Sequence, residues 1–154
     1  MTKIYIYTDG GARGNPGPAA IGVVIKDESN NTIHTISRRI GETTNNVAEY
    51  EAVVAGLEWI KENLPKIIDN NQQLTVNSQQ LTENKQQINF FIDSTLIVNQ
   101  LNGYFKIKNG NLRNYLYKVR ELEQEIRLPV YYSQIPREKN READFLVNKA
   151  LDSL

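Results

Sequence analysis

The feature that most constrains this chain is a change of hydrophobic period near Asn46. Before it, apolar residues alternate as in strands; after it, they recur at helical spacing. Residues 3–9 alternate Ile with Tyr and read as a strand. Residues 10–18 are dense in Gly, Pro and Asn and read as a loop. Residues 19–26 (AAIGVVIK) form a second strand, 27–31 a turn and 32–40 a third strand with β-branched residues. Three strands on short links make an antiparallel meander.

From Asn46 to Leu64, Val47, Val53, Val54, Leu57, Ile60 and Leu64 follow helical spacing, with Ala48, Ala52 and Ala55 between them. Thr44 or Asn45 is placed to cap this helix, and Pro65 is expected to end it. INFFID, residues 88–93, reads as a short buried strand. Residues 95–101 read as a short helix ended by Asn102-Gly103, and 111–126 as a longer amphipathic one. A strand at 130–135, stopped by Pro136, and a helix at 141–151 with Asn140 as its cap complete the order β-β-β-α-β-α-α-β-α. A meander followed by alternating strands and helices predicts one mixed sheet with helices on its faces. The segment 65–87 departs from this order. It is rich in Gln and Asn, and reads either as a mobile insertion or as an added edge strand at 74–76.

Composition narrows the chemistry. At 154 residues the chain has the size of one domain, expected to span 1–154 with the insertion inside it. It contains no cysteine and one histidine, so a metal must be held by oxygen or by His34. No apolar run reaches the ~20 residues of a membrane span, and the N-terminus lacks a signal-peptide pattern. A cytoplasmic monomer with no membrane partner is expected. Net charge is zero, but Lys106, Lys108, Arg113, Lys118 and Arg120 cluster after the midpoint, and Arg137, Lys139 and Arg141 later. Taken alone, these are solvated faces.

The candidate chemistry lies in acids. Asp9 is expected to end the first strand, and Asp93 ends the fourth, directly before a helix. If those strands are parallel neighbours, the two aspartates meet at one sheet edge, where the sites of such sheets gather. Glu49 lies in the first turns of a helix otherwise lined with Ala and Val, and Asp144 in the first turn of the last helix. Taken singly, each has a plainer explanation as a turn former or a partner of the helix dipole. Together they would repel unless a cation sat between them. With no Cys and no nearby His, such a cluster suits Mg²⁺ or Mn²⁺. Paired ions of this kind commonly serve phosphodiester cleavage.

Four segments carry a resemblance. YTDGGARGNPGPAAIGVVI, TTNNVAEYEAVVAGL, IDSTLIVNQLNG and IPREKNREADFLVNKAL resemble, in order and at compatible spacings, the motifs of type 1 ribonucleases H, the last in the form of the archaeal-like bacterial branch. The resemblance implies an α/β fold: a five-stranded mixed sheet of an antiparallel meander plus two parallel strands, flanked by helices. It implies cleavage of the RNA strand of an RNA–DNA hybrid, leaving 5′-phosphate and 3′-hydroxyl ends. It makes Asp9, Glu49, Asp93 and Asp144 the catalytic residues and the ligands of two Mg²⁺ ions, with Mn²⁺ as a substitute, and Asp9 between the two. It brings Gly10, Gly11, Ala12, Arg13, Gly14 and Asn15 to the hybrid, the loop around Ala12 and Gly14 through main-chain atoms. Thr44, Asn45 and Asn46 join them at the helix start, Asn45 near a ribose 2′-OH, the group that distinguishes RNA from DNA. Lys106 and Lys108 are what remains of the family's basic protrusion.

The chain departs from better-known members in three ways. The stretch before Asp144 offers Gln134, Arg137, Glu138 and Lys139 but no histidine; His34 falls in the third strand, where it reads as a surface residue. The protrusion is reduced to Tyr104-Phe105-Lys106-Ile107-Lys108, and the single Trp59 sits on the first helix, as a core residue. Glu42 stands where an Arg often helps to hold a DNA phosphate. The rival readings are a nuclease of the same fold acting on double-stranded RNA or DNA junctions, and a non-catalytic nucleic-acid-binding module. The second would expect one of the four acids to be lost.

Overall fold

The structure, a computed structural model, describes residues 3–72 and 86–153. The elements run β1 (Lys3–Ala12), β2 (Gly17–Lys26), β3 (Thr32–Thr43), α1 (Asn45–Gln72), β4 (Gln87–Ile92), α2 (Thr95–Leu101), α3 (Gly110–Ile126), β5 (Val130–Gln134), a 3-10 turn (Arg137–Lys139) and α4 (Arg141–Asp152). The expected order of elements is the observed one. The strands form a single sheet in the order β3-β2-β1-β4-β5. β1 pairs antiparallel with β2 and β2 with β3, while β1–β4 and β4–β5 are parallel.

Alternation sorts the sheet's two faces. Ile4 and Ile6 of β1, and Ile88, Phe90 and Ile92 of β4, are buried with Ala52, Val53, Leu57 and Ile60 of α1 in the main core. Ile97 and Leu101 of α2, and Leu112, Val119, Leu122 and Ile126 of α3, belong to the same core. The opposite face is thinner: Val147, Ala150 and Leu151 of α4 close on Ala20 of β2. Trp59 is half-buried rather than fully inside. It packs at the edge of the main core and stacks on His34 of β3, ring centroids 4.9 Å apart.

β2 starts two residues earlier than expected, at Gly17, β3 runs on three residues to Thr43, and two further boundaries differ with consequences for the fold. β1 does not stop at Asp9; Gly10, Gly11 and Ala12 continue it, paired with Ile21, Ala20 and Ala19. The Gly-rich signal that reads as loop is here a strand whose missing side chains let other elements close on it. Nor does Pro65 end α1, which runs through it to Gln72. Proline removes one donor, the one that would bond the carbonyl of Lys61. Lys61 and Pro65 are both exposed, so water can satisfy that carbonyl and the helix continues. The added edge strand considered at 74–76 lies outside the described residues. Among the described residues no helix is long and apolar enough to cross a membrane.

Gly22 shows how closely α4 lies on the sheet. A Cβ there would stand 2.1 Å from the carbonyl oxygen of Ala143. Gly22→Ala should therefore lift the start of α4 and cost about 3 kcal/mol, measured by urea unfolding. A loss below about 0.5 kcal/mol, the scatter of an ordinary surface change, would show that α4 is not seated on β2 at this point.

Candidate active site

The site follows from sheet register. Thr8 of β1 pairs in parallel with Ile92 of β4, so the next residues on the two strands, Asp9 and Asp93, leave the pair side by side. Asp9 is still within β1, opposite Gly22, and Asp93 is the first residue beyond β4. α1 delivers Glu49. Thr44 caps this helix, its Oγ1 accepting from the Val47 amide at 3.3 Å. The helix start then crosses β1 at Gly10, where a Cβ would lie 2.2 Å from the Ala48 carbonyl. That contact sets Glu49 against Asp9, and its Oε1 accepts from the Gly10 amide at 3.4 Å. Ligand oxygens of Asp9, Glu49 and Asp93 lie within 4.8 Å of one another. Asp144, from the first turn of α4, lines the same cleft and acts on Asp9 by charge, but stands outside this tight triad.

Asp9 and Glu49 are buried, at 8% and 7% exposure. Burial, and then the charge of Asp93, push the Asp9 carboxyl up to about 7. Burial, then the charge of Asp9, push Glu49 well above the usual carboxylate range. With both groups ionised, Glu49 Oε2 is buried without a partner. A proton on Glu49, donated to Asp9, relieves that. The pair therefore holds either a shared proton or a cation. The donor set fits a cation: carboxylate oxygens only, converging, with one buried oxygen unpaired and no lysine or arginine salt bridge to any of the three among the described residues. Hard divalent ions with oxygen preference suit it.

The cleft, about 360 Å³, is lined by Asp9, Gly10, Gly11, Ala12, Arg13, Asn45, Asn46, Glu49, Asp93, Ser94, Arg137, Asp144, Val147, Asn148 and Leu151. Most of the residues singled out in the sequence are thus brought together. Gly14, Asn15 and Thr44 are not among the lining residues, nor are Lys106 and Lys108, exposed between α2 and α3. Asn15 and Asn45 brace the rim: Asn15 Oδ1 accepts from the Asn45 amide at 3.0 Å, and Asn45 Oδ1 from the Ala12 amide at 2.8 Å. The Asn45 side chain is therefore not the helix cap. Arg13 turns toward α4, with Asp152 at 2.7 Å and Asn148 at 3.4 Å. His34, stacked on Trp59, is not among the cleft residues.

Sequence reasoning missed Asn140 and Asn148. Asn148 lies one helical turn beyond Asp144 and donates to its carbonyl at 3.1 Å, a spacing that could have found it. Asn140 was expected to cap α4. Its side chain makes no cap bond and instead donates to the Thr8 carbonyl at 2.8 Å and to Asp93 Oδ2 at 3.0 Å. Sequence carries no sign that separates these two uses of an Asn.

The family model for RNase H matches residues 1–152. The chain belongs to the ribonuclease H family. A ribonuclease H1 isolated from compost by a metagenomic approach is similar over 99% of this chain and 97% of its own, at 46% identity and a TM-score of 0.83. The structure of LC11 ribonuclease H1 in complex with an RNA/DNA hybrid is similar over 97% and 96%, at 45% identity and a TM-score of 0.80. Among curated proteins, a bifunctional protein of Mycobacterium tuberculosis is 33% identical over 152 residues, 98% of this chain and 36% of that protein. Ribonuclease HI of Halobacterium salinarum is 31% identical over 150 residues, 97% of this chain and 65% of its own length. The chain thus spans about a third of the mycobacterial relative and under two thirds of the halobacterial one. Ribonucleases H use divalent metal ions, and the acidic triad is the feature here that corresponds to that need.

The raised carboxyls give the metal-free protein a signed pH dependence. A folded state that holds protons up to about pH 7, against an ordinary carboxylate value of 3.8, binds more protons than the unfolded chain in between. Its stability must then fall as pH rises through that window. In chelator, the melting temperature should decline from about pH 4 to about pH 7 through this group, and Asp9→Asn should flatten the decline and raise the melting temperature at neutral pH. A neutral-pH melting temperature unchanged or lowered in Asp9→Asn would mean that the acids do not repel one another.

Proposed function

We propose that this chain is an endonuclease that hydrolyses the RNA strand of RNA–DNA hybrids, leaving 5′-phosphate and 3′-hydroxyl ends. The observation that carries this reading is the triad of Asp9, Glu49 and Asp93 in an amide-rimmed cleft shared with Asp144. These four residues would hold two Mg²⁺ ions, or Mn²⁺ in their place. When bound, such ions lower the pKa of the attacking water and offset charge on the leaving oxygen.

The remaining work falls to the chain. Gly10 holds Glu49 through its amide, which fixes the carboxyl without bringing a competing cation. Ala12 fixes Asn45 by its Oδ1, so the Asn45 Nδ2, which has no partner among the described residues, faces outward as a donor. A ribose 2′-OH is the acceptor that would give this donor strand selectivity. Arg137 lines the cleft from the turn before α4, in the stretch that offers no histidine. A guanidinium stays protonated at any working pH, so Arg137 would attract the scissile phosphate without shuttling protons. Lys106 and Lys108, exposed beyond the cleft, would meet phosphates further along the duplex.

A labelled RNA–DNA hybrid, double-stranded RNA and double-stranded DNA, each incubated with Mg²⁺ or Mn²⁺, tests the substrate class. The hybrid should be cut in its RNA strand alone, and Asp9→Asn should abolish cutting while the protein stays folded. Cleavage of the DNA duplex, or activity retained in Asp9→Asn at saturating metal, would sink the proposal.

The Lys106→Ala, Lys108→Ala double variant should weaken hybrid binding and reduce the salt slope by about 1 to 2, given roughly 0.9 per duplex phosphate contact. Its cleavage rate at saturating hybrid should hold. An unchanged salt slope would place the duplex elsewhere.

A further inference from the structure

Asn140 is 1% exposed and starts α4 without capping it. Its Nδ2 donates to the Thr8 carbonyl at 2.8 Å and to Asp93 Oδ2 at 3.0 Å. Both partners accept, so only the NH₂ end of the amide can face them. Its Oδ1 is left buried with no partner among the described residues. A stranded buried acceptor weakens a fold. A Ser at this position could cap the helix without burying an unpaired amide oxygen, though it would lose the bond to the Thr8 carbonyl. The bond to Thr8 serves the fold, but the second bond, to an acid of the triad, is one that stability alone does not call for.

We propose that Asn140 is a positioning residue for the cation site, one that turns Asp93 by engaging Oδ2 and leaves the other carboxylate oxygen for the ion. This inference rests on reading the triad as a cation site. The same Nδ2 ties down the carbonyl of Thr8, the residue before Asp9. The Asn140 carbonyl accepts from the Asp144 amide at 3.1 Å, so the residue also sets where Asp144 begins its helix turn. The side chain thus fixes Asp93 directly and Asp9 through the Thr8 carbonyl, while the bond to the Asp144 amide comes from the main chain. A neutral donor suits the task. A lysine in its place would pair with Asp93 and compete with the cation, whereas an amide orients the carboxylate and leaves its charge intact.

Calorimetric titration with Mn²⁺, without nucleic acid, tests the proposal on the wild type, Asn140→Ala and Asn140→Ser. The serine keeps a capping hydroxyl for α4 but is too short to reach Asp93, so it preserves the fold if the alanine does not. Mn²⁺ affinity should fall about tenfold or more in each, the range found when a partner of a metal-ligating group is removed. The metal concentration for half-maximal hybrid cleavage should rise by the same factor, while KM for hybrid at saturating metal stays put. Wild-type Mn²⁺ affinity in the variants, with only the melting temperature lowered, would overturn the proposal. So would a wild type that takes up no Mn²⁺. A wild type that binds Mn²⁺ but does not cut the hybrid would defeat the functional reading alone and leave the Asn140 comparison standing.

Discussion

The carboxyl oxygens of Asp9, Glu49 and Asp93 approach one another within 4.8 Å in a cleft that removes two of them almost entirely from water. Repulsion between like charges and the loss of hydration both oppose that arrangement. The chain cannot relax it by turning side chains away, because the positions are fixed by backbone. The parallel register of β1 and β4 sets Asp9 beside Asp93, and a one-residue slip of either strand would send its acid to the opposite face. The crossing of α1 at Gly10 sets Glu49. The destabilising cluster is thus built on the centre of the sheet and the helix that crosses it.

Much of the surrounding structure makes sense as support for that cluster. α4 closes on the sheet through a small apolar patch, Ala20 with Val147, Ala150 and Leu151, which is thin cover for a helix that carries one of the acids. Polar ties make up the difference. The Arg39 guanidinium donates to the carbonyls of Ala150 and Leu151 at 2.8 and 2.7 Å, satisfying groups that a helix end otherwise leaves bare. Lys26 pairs with Glu142 at 2.9 Å near the other end of the helix. Arg13 joins the β1–β2 turn to Asp152. On the far side of the sheet, Tyr50, next to Glu49, donates to the buried Gln100 of α2 at 2.8 Å, so the acid's own helix is anchored into the main core.

What could be read from the sequence followed periodicity. The meander, the long helix and the βα alternation all left clear 2.0 or 3.6 patterns, and connection rules joined them into one mixed sheet, with the pairing of β1 and β4 left as a condition. The four acids stood out because each sits at an element's end or first turns. The sequence was less informative where composition and context disagree. Gly10 and Gly11 read as loop because glycine usually breaks strands, yet both are paired in β1, and the bare Cα of Gly10 admits α1. Pro65 reads as a stop because its cost is usually prohibitive in a buried helix, and this one is exposed. Asn140 reads as a cap because local bonds are the commoner use of that side chain. Its bonds to Thr8 and Asp93 cross more than forty residues of sequence and are decided only by the packing of α4.

Electrostatics ties the parts into one device. The chain carries no net charge, and its cleft concentrates acids, so a polyanion approaching the bare site is repelled where the chemistry must occur. The rim compensates with groups that bear no charge, the side chains of Asn45 and Asn46. Such contacts can register the shape and hydroxyls of a duplex, but they do not overcome carboxylate repulsion. Of the two guanidinium groups in the lining, Arg13 is committed to Asp152, which leaves Arg137 without a salt bridge among the described residues. On the proposed function, neutralising the acids is therefore the step on which substrate binding would depend. By thermodynamic reciprocity, whatever the duplex gains from a filled cation site, the cation gains from a bound duplex. On the proposed function, a neutral protein with an acidic cleft would couple its metal and its substrate through the same carboxylates.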